Sequence, residues 1–191
     1  MNKFTGMQSL KDAFNSIAVE VLINDEPQQA YITQAHLGES SRKHMHSLQP
    51  FNQGDYVSIG EAVYMVVEDV VNQRGAKYKA TIQHCNYMIQ LPGETIRVPD
   101  GVDSRGRPKY KEIVQPGKEL HSIVNMDRVT MNGSQIVVNT SVYMMLIPDI
   151  EEARENVKVN DEYDVYGEMM VVVNINRLRT GLMEITLKAK L

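Results

Sequence analysis

Two stretches of this chain are built to one plan, and that duplication limits what it can fold into. Residues 54–85 and 160–191 each contain an aspartate (Asp55, Asp161), a short strand pattern and a Gly-Glu turn (Gly60-Glu61, Gly167-Glu168). A long apolar strand follows (through Val67, through Val173), then a glycine turn (Gly75, Gly181) and a last alternating run, ending at Cys85 and near Leu191. A three-strand unit of this kind leaves one apolar face uncovered. Two copies therefore predict two sheets that cover each other or a neighbouring subunit.

Composition narrows the function classes. A length of 191 residues fits one domain, or one domain with an extension. The net charge of -4 counts against a general nucleic-acid binder, which is usually basic. Cys85 is the sole cysteine, which excludes intramolecular disulfides and a Cys-rich zinc site. There is no Trp, and twelve Met supply flexible filling for irregular cores. No apolar run approaches the ~20 residues of a membrane span, and the first residues lack a signal-peptide core. The expectation is a protein made and used in a cytoplasm.

Hydrophobic periodicity organises the rest. Phe4, Met7, Leu10, Phe14 and Ile17 fall near helical spacing, with Ser9 and Asp12 as a capping box. Alternation then takes over, and the turn at Asn24–Pro27 predicts a hairpin over 18–33. Residues 34–53, with Arg42, Lys43, His44 and His46, read as an exposed connection. Residues 1–50 are thus expected to form an N-terminal extension of helix, hairpin and arm, ahead of a barrel or sandwich over 51–191. Within the latter, strands are predicted at 56–59, 62–68 and 77–84, with Tyr78, Ala80 and Ile82 inward. Pro92-Gly93 suits a type II turn, and 99–118 reads as the longest loop. Asn132-Gly133 suits a hairpin over 128–138, and 142–147 a buried strand. Asp149 and Glu152 open a helix carrying Ile150, Ala153 and Val157. The terminal run from Leu182 is either a barrel-closing strand or an edge offered to a partner. The fold class is mainly β: an antiparallel β-barrel or sandwich with one or two short helices and a long loop.

Chemistry is sparsely signalled. Neither a nucleotide-binding glycine pattern nor a nucleophile elbow occurs. His44, His46, His84 and Cys85 are metal-ligand types, but Arg42 and Lys43 beside the first two repel a cation. Cys85 as a nucleophile needs a base and a lowered pKa, and His121 comes with no local signature. The loop residues Arg105, Arg107, Lys109, Tyr110 and Lys111 combine positive charge with an aromatic ring. They fit a contact with DNA phosphates or an arm that orders against a neighbouring subunit. No catalytic, cofactor-binding or metal residue is expected.

The pattern Asp55, Val57, Ile59, Gly60, Val63, Tyr64, Val66 resembles the sheet motif of head-closure and head–tail joining proteins of tailed bacteriophages. The stretch 78–86, with its Cys85-Asn86 pair, resembles a segment of phage virion structural proteins. The ending from Gly167-Glu168 through 174–177 to 181–188 is similar to the C-terminal signature of that group. The likeness runs from Gly54 onward. Where the Cys-Asn segment usually leads into a Trp-bearing strand, Tyr87, Met88 and Ile89 follow here. The resemblance implies a non-enzymatic ring component of the neck, assembled in the host cytoplasm and located in the virion. Its implied partners are sister copies, a portal or adaptor protein, a tail or tail-terminator protein and, transiently, packaged DNA, with no membrane and no cofactor. The alternatives are an OB-like nucleic-acid-binding barrel using Tyr56, Tyr64 and Tyr78, or another neck component such as a tail-completion protein.

Overall fold

Alternation of apolar and polar residues dictates strands almost everywhere. A computed structural model describes residues 11–36, 39–73, 77–102, 104–126 and 142–190. Helix α1 covers residues 11–15 and helix α2 Glu151–Asn156. The strands are β1 (Val19–Ile23), β2 (Glu26–His36), β3 (Glu39–Ser47), β4 (Tyr56–Ile59), β5 (Ala62–Val66), β6 (Val71–Gln73) and β7 (Lys77–His84). Then come β8 (Tyr87–Val102), β9 (Pro108–Met126), β10 (Val142–Pro148), β11 (Glu162–Val165), β12 (Glu168–Asn176) and β13 (Leu182–Ala189).

The first seven strands form one antiparallel sheet in the order β3-β2-β1-β4-β5-β7-β6, and β3 also pairs with β7. Six strands therefore close on themselves, which removes the free edges an open sheet would expose. Inside lie Val21, Ile23, Ala30, Met45, Phe51, Val57, Tyr64, Val66, Ala80 and Ile82. The β1–β2 turn at Asn24–Asp25 has φ of 49° and 69°, the pair of positive angles a two-residue I′ hairpin requires. Two expectations are corrected here. Residues 34–53 are not an exposed connection: β3 is a stave whose Met45 and Ser47 are fully buried. Arg42, His44 and His46 face outward, and Lys43, on Met45's side, reaches over the Tyr64 ring, so the alternation of β3 carries one apolar residue only. The described part of residues 1–50 is accordingly no separate extension, since β1–β3 supply half of the barrel wall.

The second sheet runs β11-β12-β13-β10-β9-β8. Its order matches β4-β5-β7-β3-β2-β1 strand for strand. The duplication thus extends beyond the three-strand units seen in the sequence to a whole six-strand barrel, and 51–191 is not a single one. Ile89, Leu120, Met145, Val165, Met170, Val172 and Ile185 fill the second interior, with Ala153 of α2 and Val157 packed among them. The hydrogen bonds repeat as well. Asn52 N donates to Asp55 Oδ2 at 2.6 Å, while Gly54 N and Val66 N bond Val66 O and Asp55 O at 2.9 Å each. In the second copy Lys158 N donates to Asp161 Oδ2 at 2.7 Å, and Asn160 N and Val172 N bond Val172 O and Asp161 O at 2.9 Å.

Further corrections follow from the second barrel. β8 runs straight through Pro92-Gly93, so no type II turn forms; Pro92 sits opposite Pro116, and the ladder bulges on both sides of them. β13 is not an edge, because it pairs with β10 as well as with β12, as β7 pairs with β3 and β5. Helix α2 takes Ile150 as its N-cap with no side-chain cap bond. Asp149 instead holds Arg154, with Nε and one terminal nitrogen each 2.8 Å from its carboxylate. Ser9 and the 128–138 hairpin lie outside the described residues.

The barrels are pinned together. Met65, Val67, Cys85, Ile123 and Leu182 form a cluster between them, bordered by Tyr56, Val63 and Leu146. Asn86 in the connector donates to Val124 O at 2.8 Å and accepts from Val124 N at 2.7 Å. Gly54 and Gly181 bring two backbones into contact: a Cβ on either would fall 2.0 Å from the opposing carbonyl oxygen.

Candidate functional site

The positions that sequence chemistry singled out are scattered. His44 Nδ1 lies 3.2 Å from Thr81 Oγ1, and the His46 ring lies tilted against Tyr31 at 5.8 Å between centroids. His84 is exposed, its ring edge-on to Tyr64 at 5.4 Å between centroids, whereas Cys85 is buried and free between the barrels. Burial pushes the Cys85 thiol up to about 12, the reverse of what activates a nucleophile. His121 is taken up by Tyr56, whose ring meets it edge-on and whose hydroxyl donates to its carbonyl at 2.6 Å. Among the described residues, no group of three or more His, Cys, Asp or Glu could hold a metal ion.

Arg105, Arg107, Lys109, Tyr110 and Lys111, in contrast, are brought together. The segment read as a loop over 99–118 is the far end of a β-hairpin, because β8 and β9 pair from Tyr87–Ser122 out to Val102–Pro108. Arg105 and Arg107 flank the turn at Gly106, and Lys109, Tyr110 and Lys111 lie on β9 just inside it. Beyond Leu91 and Leu120, both buried in the barrel, the ribbon projects on the order of 30 Å at the usual strand rise. Ile96 faces Ile113, and Arg97 faces Glu112 with a 2.9 Å ion pair. Lys109 lies 3.9 Å from Asp100. Val102 and Tyr110 are 68% and 57% exposed. The sequence hid this arm because four prolines and charged side chains break its alternation.

The duplication explains where the arm grows. Val21 and Ile23 of the first barrel correspond to Ile89 and Leu91 of the second. The two-residue turn after Ile23 is therefore replaced by the arm after Leu91. The same strands differ at their outer edge. In the first barrel β1 pairs with β4 through Leu22–Ser58 and Ile23–Val57, and Asn24 bonds both Asp55 and Tyr56 N at 2.9 Å. In the second, among the described residues, no ladder joins β8 to β11. Tyrosines span the gap: Tyr87 Oη donates to Asp164 O and Tyr166 Oη to Asn86 O, with the two rings 5.2 Å apart. Beside them is a slot of about 450 Å3 lined by Met88, Gln90, Glu119, Glu162, Tyr163 and Asp164.

A third feature is the outward face of β2, β3 and β7. Tyr31, His46 and Lys79 lie in one row across the strands, with His44 beside His46 and Lys77 beside Lys79. Burial first, and then the charges of Lys77, Lys79 and His44, lower His46 to about 4.

The molecule is a tandem of two related β-barrels whose distinguishing surfaces are an arm, a seam and a charged face. The chain belongs to the YomX family. Residues 2–84 match the YomX N-terminal domain and residues 84–188 the YomX C-terminal domain, so the two meet where one barrel ends and the next begins. The family is phage-associated, which makes this a phage-related protein. No solved structure matches the chain significantly. No helix among the described residues is long and apolar enough to cross a membrane.

Proposed function

We propose that this chain is a virion structural protein of a tailed phage, a ring component of the neck that joins portal and head to tail and surrounds the DNA channel. The observation that carries the reading is the arm. A two-stranded ribbon on its own is marginal in water, and this one exposes Val102, Tyr110 and Ile113. Such an element gains its stability by docking on another subunit, as ring proteins require. The family's phage association and the resemblance of Gly54 onward to head–tail joining proteins point the same way. In this role the chain has no reaction to perform; its partners are sister copies, a portal or adaptor and a tail protein, and its place is the head–tail interface. Arg105, Arg107, Lys109, Tyr110 and Lys111 would face a neighbour or the channel. Quantitative mass spectrometry of purified virions, intact and stripped of tails, tests the proposal. Several copies per particle are expected, whereas absence from mature particles removes the role.

One observation favours a second reading as a nucleic-acid-binding barrel: the row of Tyr31, His46 and Lys79, flanked by His44 and Lys77, combines stacking surface with positive charge. It predicts salt-sensitive anisotropy of a labelled single strand at micromolar protein, lost in Lys77→Glu/Lys79→Glu. The neck reading expects no such binding by free protein.

A further inference from the structure

The seam between β8 and β11 is a place where the second barrel departs from its twin, and the departure coincides with the arm. Edge strands invite pairing with another strand, and barrels close to prevent it. The first barrel does close there, by a two-pair ladder and the Asn24 bonds. By the equivalence of the strands, Gln90 and Leu91 ought to face Asp164 and Tyr163, yet tyrosine side chains rather than backbone bonds hold these edges. Tyr163 lines the slot, and its hydroxyl is buried with no hydrogen-bond partner among the described residues.

We propose that this seam is a strand-accepting slot for the arm of a second copy of the chain; the inference rests on the ring reading and names the contact that builds the ring. Charge supports that occupant. The slot presents Glu119, Glu162 and Asp164, of which Glu162 is paired with Lys190 at 2.6 Å. The distal arm, residues 104–111, carries Arg105, Arg107, Lys109 and Lys111 and no acid. An arm cannot reach its own slot with its tip, because the slot lies at the arm's base, where Gln90 and Glu119 pair. Arm into neighbouring slot is a head-to-tail contact, which closes into a ring when the rotation permits. Main-chain bonds along the added strand supply affinity, and the charges set partner and direction.

The test uses the chain with residues 92–117 replaced by Asn-Asp, the two-residue turn that follows Ile23 in the first barrel. Its probe is a disulfide-closed hairpin peptide of those residues. Calorimetry is expected to give a dissociation constant below about 1 mM, weakened about tenfold or more when Gln90→Lys and Glu119→Lys, both exposed positions, reverse the slot's charge. A peptide carrying Lys109→Glu and Lys111→Glu is expected to lose binding to the same degree. Absence of binding at 1 mM, or binding indifferent to both pairs of substitutions, overturns the proposal. Either failure leaves the virion mass-spectrometry test of the neck role standing, so the two readings fail separately.

Discussion

Replacing Gly181 with alanine probes the contact on which the two-barrel arrangement depends. Gly181 has φ of +74°, a left-handed angle that costs any residue with a Cβ about 1 kcal/mol. Gly167, at +85°, shares that cost, but nothing lies within 4 Å of the Cβ it would gain. At Gly181 the new Cβ falls 2.0 Å from Gln53 O, so the opposing turn must retreat by a large fraction of a contact distance. Overpacking of this kind adds about 1–3 kcal/mol. The displaced backbone also carries the Gly181 carbonyl that accepts from Asp149 N at 2.9 Å, a bond worth about 1 kcal/mol. Gly181→Ala is therefore expected to cost about 3–5 kcal/mol and Gly167→Ala about 1 kcal/mol, read from urea midpoints at unchanged slope. Equal losses in the two variants refute the close approach, and with it the account of how the barrels are joined.

Other expectations concern single groups. Asn86→Ala removes both bonds to Val124 and is expected to destabilise by about 2 kcal/mol in the same unfolding assay. Asn24→Ala, which removes the bonds to Asp55 and Tyr56, is expected to cost about 1–2 kcal/mol and to raise amide exchange in β1 and β4 before the rest. Native Cys85 is expected to resist a thiol reagent at pH 8 and to react once unfolded, because its buried thiol titrates near 12. His46 titrates at about 4 when folded against 6.5 when unfolded, so the unfolded chain binds the proton first and stability falls between pH 6.5 and 4. Screening at this half-open position leaves on the order of 1 kcal/mol, and His46→Gln is expected to flatten that part of the stability profile.

The sequence made the repeated turns and strands legible because they are written in residues with one meaning. Asp55 and Asp161 close matching turns, Asn24-Asp25 marks a two-residue hairpin, and Ala80 and Ile82 declare an inward face. The remaining half of each barrel was harder to see. β3 puts polar side chains outward and only Met45 as a large apolar group inward, so its periodicity is faint. β8 and β9 mix barrel residues such as Ile89 and Leu120 with a solvated ribbon whose two faces both carry charge. Nothing local distinguishes such a ribbon from a loop, since its pairing spans residues far apart in the chain. The basic cluster of 105–111 was found by composition, but its position at the end of an arm depends on register. The open seam was invisible, because it shows only when the second barrel is laid beside the first.

A reconstruction of the portal vertex from purified virions by cryo-electron microscopy tests the proposed role most directly. The account predicts a ring of two-barrel subunits around the DNA axis between portal and tail, each sending its arm to the β8–β11 edge of the next. A neck fully explained by other chains, with no density for paired barrels, contradicts it.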